Sequence, residues 1–143
     1  MITRIDHVGI AVADLDEAIS FYEKTFGFQL GHTEVNEDQG VREAMLVIAE
    51  NATQLQLLAP ISPESAIARF LDERGPGIQQ IAYTVDDIEA ESASLRAKGL
   101  RLLYDQPRRG TANSRINFIH PRDAGGVLVE LVEPANSPGT HGK

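Results

Sequence analysis

The 143-residue chain has 13 basic and 21 acidic residues, a formal net charge of −8, and 42% of its residues are hydrophobic. This is the composition of one globular domain, and its negative charge opposes binding to nucleic acids and to anionic membranes. Because cysteine is absent from the sequence, disulfides and thiolate metal sites are excluded, and any metal must be bound by His, Gln, Asn, Asp or Glu. The N-terminal residues do not resemble a signal peptide and no apolar run is long enough for a membrane span, which predicts a cytoplasmic protein.

The first half of the chain predicts one strand, one helix and then three strands. Residues 5–12 form a β-branched apolar run that is too short for a typical helix, and from Leu15 apolar residues recur at helical spacing until Gly27. Further strands are predicted at about residues 28–35, 42–49 and 53–58. The order of elements is therefore βαβββ.

The second half predicts the same order of elements. It begins with a strand at residues 78–85 and a helix from Ile88 to Gly99, followed by strands at about residues 101–105, 115–120 and 126–132. A short capped helix within residues 65–75 connects the two halves, and the tail after Pro134 has no periodicity and is predicted to fray.

Two blocks of sequence recur at nearly one offset, which indicates tandem modules. Residues 5–15 resemble residues 78–88, and residues 56–60 resemble residues 130–134, so the offsets are 73 and 74 positions. We therefore predict an α+β fold, a single domain over residues 1–143, with modules at about residues 3–59 and 77–134.

Four polar residues occupy equivalent strand positions of the two modules and are candidate metal ligands. Equivalence pairs His7 with Gln80 and Gln56 with Glu130, and Glu130 is flanked by apolar residues, where a carboxylate must be paired or coordinated. If a two-fold axis relates the modules, these side chains converge on one divalent-metal site that leaves positions for water or substrate. Taken alone, His7, Gln56 and Gln80 are more typical of structural or solvated positions, and it is their coincidence with Glu130 at equivalent positions that favours a metal site.

Glu43 is a further candidate, because it shares a strand face with the apolar side chains of Val41, Met45 and Val47. A carboxylate in that environment could be a general base with a raised pKa. The alternative is an ion pair with a nearby Arg at the end of the strand, and the spacing alone favours this alternative.

From Ile5 to Pro134 the chain resembles the methylmalonyl-CoA epimerases of the vicinal oxygen chelate superfamily, which have the glyoxalase fold. The resemblance lies in residues 5–12, 36–43, 54–60, 115–121 and 126–131. It implies a curved mixed sheet around a central divalent metal, commonly Co²⁺, bound at positions matching His7, Gln56, Gln80 and Glu130. It also implies acid/base carboxylates at Glu43 and Glu130. The chain departs from the family at Gln79 and Gln80, where the family usually has two histidines.

The resemblance implies an isomerase that interconverts (R)- and (S)-methylmalonyl-CoA through an enediolate, by metal-assisted α-proton transfer between two bases. It also implies an acyl-CoA partner and a homodimer. The segment of residues 106–115 contains Arg108, Arg109 and Arg115; it is a candidate for holding CoA phosphates or, equally, a solvated loop.

Three other functions occur on this fold. A glyoxalase I-like lactoylglutathione lyase usually has a second carboxylate where this chain has Gln56, and an extradiol dioxygenase needs two histidines and a carboxylate, which Gln80 argues against. A drug-binding resistance protein needs aromatic walls, whereas only 6% of these residues are aromatic and there is no Trp. The epimerase is the first choice, with the lyase and the resistance protein as alternatives.

Overall fold

The computed structural model describes residues 1–135, and the tail predicted to fray lies outside them from residue 136 onward. Two compact units are present: the N-terminal unit, His7–Gln79, and the C-terminal unit, which combines Met1–Asp6 with the chain from Gln80 onward. The predicted module bounds remain a prediction. The helices are α1 (Leu15–Phe26), α2 (Ala66–Arg74) and α3 (Ile88–Ala97), with single 3₁₀ turns at Thr111–Asn113 and Pro121–Asp123.

The strands are β1 Ile2–Ala11, β2 Gln29–Asn36, β3 Val41–Val47, β4 Gln54–Pro60, β5 Gly77–Val85, β6 Arg108–Arg109, β7 Arg115–Ile119 and β8 Leu128–Glu133. They form a mixed sheet with the order β2-β3-β4-β1-β5-β8-β7-β6. Pairing is parallel for β1 with β4 and for β5 with β8, and antiparallel for β2 with β3, β3 with β4, β7 with β8 and β6 with β7. This confirms the predicted α+β fold of two βαβββ modules.

In the N-terminal unit, α1 packs on one face of the strands and so leaves the other face for polar residues. The helix begins after Asp14, whose carboxylate accepts a hydrogen bond from the Glu17 amide at 3.0 Å, and it ends at Gly27 with a φ of 76°. Four buried residues of this core alternate along β3 and β4, namely Ala44, Leu46, Leu57 and Ala59, and Val12 and Leu15 belong to the same cluster. Within residues 1–135, no helix is both long and apolar enough to cross a membrane.

In the C-terminal unit, α3 takes the place that α1 has in the other unit. Asp87 caps it by accepting from the Ala90 amide at 3.0 Å, and the buried Glu133 carboxylate accepts from the Ile88 amide at 2.9 Å. The helix packs on the face of β7 and β8 formed by Ile119, Val129 and Leu131.

The strand predicted at residues 101–105 is wrong. Leu102 forms an isolated bridge with Ile119, but the ladder stops there because the Asn117 side chain replaces a backbone partner. Its amide oxygen accepts from the Tyr104 amide at 3.1 Å, and its nitrogen donates to the Tyr104 carbonyl at 2.9 Å. The remaining strand of this module is β6, which has only two residues.

Candidate active site

Three buried polar side chains share one face of β1, β3 and β4 in the N-terminal unit. The strand registers pair Gly9 with Gln56 and Glu43 with Leu58. Because paired residues lie on the same face and side chains alternate along each strand, His7, Gln56 and Glu43 point away from α1. Their relative exposures are 3%, 3% and 2%. The sequence assigned His7 and Glu43 to faces of two separate strands, and the register shows that these are the same face of the sheet.

On this face, Gln56 is hydrogen-bonded to Glu43. The amide Nε2 of Gln56 donates to Oε1 of Glu43 at 2.5 Å. Arg42, the neighbour of Glu43 in the chain, lies 3.9 Å from the carboxylate of Asp16. The burial of Glu43 and its bond to an amide favour a functional carboxylate over an ion pair at the end of the strand.

Apolar side chains surround the part of this face that carries the Glu43 carboxylate. Leu58 is the cross-strand partner of Glu43, and it belongs to a cluster with Ala11, Val41 and Ile67. Ile67 comes from α2, which therefore covers this end of the strands. Electrostatic interactions are stronger in such a setting than in water, because little solvent screens them.

The C-terminal unit has a matching face on β5, β7 and β8. Here Ala82 pairs with Glu130, and Glu130 pairs with Phe118. Gln80 and Glu130 lie on this face with exposures of 6% and 5%. The amide Nε2 of Gln80 donates to Oε1 of Glu130 at 2.6 Å.

The two faces have the same register, which confirms the equivalence inferred from the repeat. Gln56 lies opposite Gly9, two residues after His7, and Glu130 lies opposite Ala82, two residues after Gln80. The sequence did not reveal that a Gln amide holds a buried Glu in each unit. Once the strand register is known, the alternation of side chains places each Gln on the same face as its Glu. The sequence by itself does not give that register.

The four predicted metal ligands are His7, Gln56, Gln80 and Glu130. Their one imidazole, one carboxylate and two amides suit a hard divalent ion better than zinc. Within the described part of the chain, no group of three or more His, Cys, Asp or Glu residues could hold a metal. In both Gln residues the amide oxygen is the atom able to bind a cation, and their nitrogens donate to carboxylates. His7 and Gln56 belong to the N-terminal unit, and Gln80 and Glu130 belong to the C-terminal unit.

The arginine-rich segment forms a separate feature in the C-terminal unit. It contains β6, the 3₁₀ turn Thr111–Asn113 and the start of β7. A cavity of about 430 Å³ lies against it and is lined in part by Arg108, Arg109 and Arg115. Its position at the edge of the sheet could not be read from the sequence, because β6 was not predicted.

Residues 6–118 match the model of the Glyoxalase/Bleomycin resistance protein/Dioxygenase superfamily. An ethylmalonyl-CoA/methylmalonyl-CoA epimerase of Cereibacter sphaeroides is 39% identical over 134 residues, which cover 92% of this chain and 98% of that protein. The crystal structure of methylmalonyl-CoA epimerase from Mycobacterium tuberculosis is 61% identical with a TM-score of 0.91, and the match covers 94% of this chain and 89% of that one. A methylmalonyl-CoA epimerase solved with methylmalonyl-CoA and NH₄⁺ is 50% identical with a TM-score of 0.93, over 96% and 98% of the two chains.

Proposed function

Because this chain belongs to the glyoxalase/bleomycin resistance protein/dioxygenase superfamily, and is 61% identical to an epimerase of solved structure, we propose that it is a methylmalonyl-CoA epimerase. This isomerase interconverts (R)- and (S)-methylmalonyl-CoA. The observation that carries the proposal at the level of residues is the pair of buried carboxylates, Glu43 and Glu130, each bonded to a Gln amide on equivalent strand faces.

The proposed chemistry uses two carboxylates. The α-carbon of methylmalonyl-CoA lies between a thioester and a carboxylate, so its proton is acidic enough for a side-chain base to remove. One of Glu43 and Glu130 removes this proton, and the other, in its protonated form, delivers a proton to the opposite face of the same carbon. Gln56 and Gln80 orient the two carboxylates, which supports transfer without movement of the substrate.

A divalent ion, Co²⁺ in our proposal, would be held by His7, Gln56, Gln80 and Glu130. When bound, it supplies stabilisation of the negative charge that develops on the substrate oxygens. The mixed nitrogen and oxygen donors fit such an ion, and the buried position of all four side chains limits competition from water.

The remaining parts of the proposal concern partners and location. The substrate is an acyl-CoA, the protein acts in the cytoplasm, and it assembles as a homodimer.

The two buried acid/base candidates argue against a resistance protein that only sequesters a ligand, and Gln56 stands where a lactoylglutathione lyase usually has a carboxylate.

The test follows the substrate proton directly. Purified protein is incubated with (R)- or (S)-methylmalonyl-CoA in D₂O, with Co²⁺ or with EDTA, and both α-deuteration and interconversion of the epimers are measured. We expect Co²⁺-dependent interconversion with deuterium incorporation. If neither process exceeds the protein-free rate after metal loading, the epimerase assignment fails.

A further inference from the structure

The edge strand β2 carries two polar side chains on the same face as Glu43. The register of β2 with β3 pairs Glu34 directly with Glu43, and His32 with Met45. Because paired residues lie on one face and side chains alternate along a strand, His32 and Glu34 share the face of Glu43 and Gln56. The sheet ends at β2, so this pair lies between the candidate base and the edge of the sheet.

His32 and Glu34 are joined by a hydrogen bond. Nε2 of His32 lies 2.7 Å from Oε1 of Glu34. This contact is a hydrogen bond in either protonation state, because Nε2–H donates to a carboxylate and the O–H of a protonated carboxyl group donates to a bare Nε2. A proton can therefore pass between the two side chains without a change of partner.

Exposure to solvent increases in steps from the candidate base to the surface. The relative exposure of Glu43 is 2%, and the side chains of Glu34 and His32 are 14% and 42% exposed. Oε2 of Glu34 and Oε2 of Glu43 are both buried. The row of Glu43, Glu34 and His32 therefore begins at a residue that bulk water does not reach and ends at a residue that it does reach.

The direct pairing of Glu34 with Glu43 brings two carboxyl groups together. Carboxylates directly opposite each other on antiparallel strands repel, and the repulsion is greater where little water screens it. The Cβ atoms of such a pair are about 4.5–5.5 Å apart, so the carboxyl groups are within reach of each other. A proton held between two carboxylates relieves their repulsion. The pairing therefore favours a proton that moves between Glu43 and Glu34.

The proposed reaction includes an exchange of protons with water. When one epimer becomes the other, one base gains a proton and the other base loses one. Before the next turnover in the same direction, the first base must release its proton and the second must receive another. A base that is only 2% exposed, as Glu43 is, needs side chains that carry this proton.

We infer that Glu34 and His32 carry protons between Glu43 and the solvent after each turnover. The inference rests on the proposed function, since it adds the step that resets Glu43, and the two residues act through Glu43 and not on the substrate. Protonated Glu43 gives its proton to the Glu34 carboxylate, Glu34 passes it to Nε2 of His32, and the imidazolium releases the proton on Nδ1 to water. Glu43 and Glu34 end as carboxylates and His32 as a neutral imidazole. The reverse sequence protonates Glu43.

The first experiment compares kcat with kcat/KM for methylmalonyl-CoA in Glu34→Gln and in His32→Ala. A slow reset limits the rate only after the product has left. We therefore expect kcat to fall by about 10-fold, with kcat/KM nearly unchanged, because a positioned proton donor and acceptor is lost. Glu37→Gln is the matched control, because Glu37 is an exposed glutamate in the turn that follows β2. It should keep the parent kcat.

The second experiment adds imidazole to the two variants. His32 lies at an exposed position, so imidazole from solution can take its place beside Glu34 in His32→Ala. We expect imidazole to raise the kcat of His32→Ala toward that of the parent, whereas sodium chloride at the same ionic strength does not. The kcat of Glu34→Gln should not respond to imidazole, because the preceding proton transfer is still absent.

A parent-like kcat in both variants would overturn the inference. A fall in kcat/KM as large as the fall in kcat would also overturn it, since this result means that the substitution displaces Glu43. The same holds if imidazole does not raise the kcat of His32→Ala, and this variant decides alone if a melting curve shows that Glu34→Gln does not fold. If the parent chain does not epimerise its substrate, the proposed function fails, whereas an active parent with equally active variants refutes only the proton route.

Discussion

At the scale of single residues, the main feature is that each unit buries a carboxylate that is hydrogen-bonded to a Gln amide. Such a carboxylate is costly unless it is bonded, and Gln56 and Gln80 provide the bonds to Glu43 and Glu130. The position equivalent to Glu43 in the C-terminal unit is Ile116, by register with Val132. The two carboxylates therefore come from different strands of their modules.

Glu43→Gln removes the candidate base while it keeps the shape of the side chain. We expect kcat to fall by about 100-fold or more, the usual contribution of a general base, with little change in thermal stability. The measurement is the epimerisation rate beside a melting curve. Glu50→Gln, at an exposed position, is the control and should remain fully active. Full turnover by Glu43→Gln would remove this residue from the mechanism.

Asp123 allows a prediction about pH and stability. Its carboxylate accepts hydrogen bonds from the Arg101 amide, Nε and Nη2 at 2.8, 2.9 and 3.1 Å. The bonds with Arg101 lower the pKa of Asp123 from 3.8 to about 2. A lowered pKa in the folded state stabilises the fold above about pH 4, and the effect is lost as the pH falls toward 2.

Asp123→Asn should therefore have a lower Tm than the parent chain at pH 7, and the difference should shrink between pH 4 and pH 2. Differential scanning calorimetry across this range measures it. A Tm difference that is independent of pH would show that the Asp123 charge does not contribute, and that the substitution acts only through packing or geometry.

At the scale of elements, the caps follow the internal repeat. Asp14 begins α1 and Asp87 begins α3, each accepting from the amide three residues further on at 3.0 Å. In α3 the Glu133 carboxylate satisfies a further amide, that of Ile88. The same device thus begins both helices, but α3 has one additional partner from the sheet.

Asp14→Ala and Asp87→Ala should each lower the free energy of unfolding by about 1 kcal/mol, the usual contribution of an N-cap side chain. Asp87→Ala should cost no more than Asp14→Ala, because Glu133 still holds the first turn of α3. Urea unfolding measures both variants, with Asp72→Ala on the exposed side of α2 as the control. A loss from Asp72→Ala as large as that from Asp14→Ala would contradict the capping argument.

At the scale of the whole molecule, a metal ion that binds only the folded chain should raise its stability. We expect Co²⁺ to raise Tm, since an ion at 100 times its Kd adds about 2.7 kcal/mol to the folded state. His7→Ala should abolish the rise. Thermal shift with EDTA-treated protein measures it, and Arg74→Ala should keep the full response. A Tm that does not respond to Co²⁺ in the parent chain would contradict the proposed metal site.

The order of elements was readable from the sequence, because burial of one strand face or helix face imposes a period that local residues display. The sequence alone determined the βαβββ repeat and the equivalence of His7 with Gln80. Only the tertiary structure decided the strand register, which shows that His7, Gln56 and Glu43 share one face. It also replaced the strand at residues 101–105 by the edge strand β6, because a side chain from a distant part of the chain, Asn117, takes the backbone partners of Tyr104. Hydrogen bonds between residues far apart in the chain depend on register, and no local pattern encodes them.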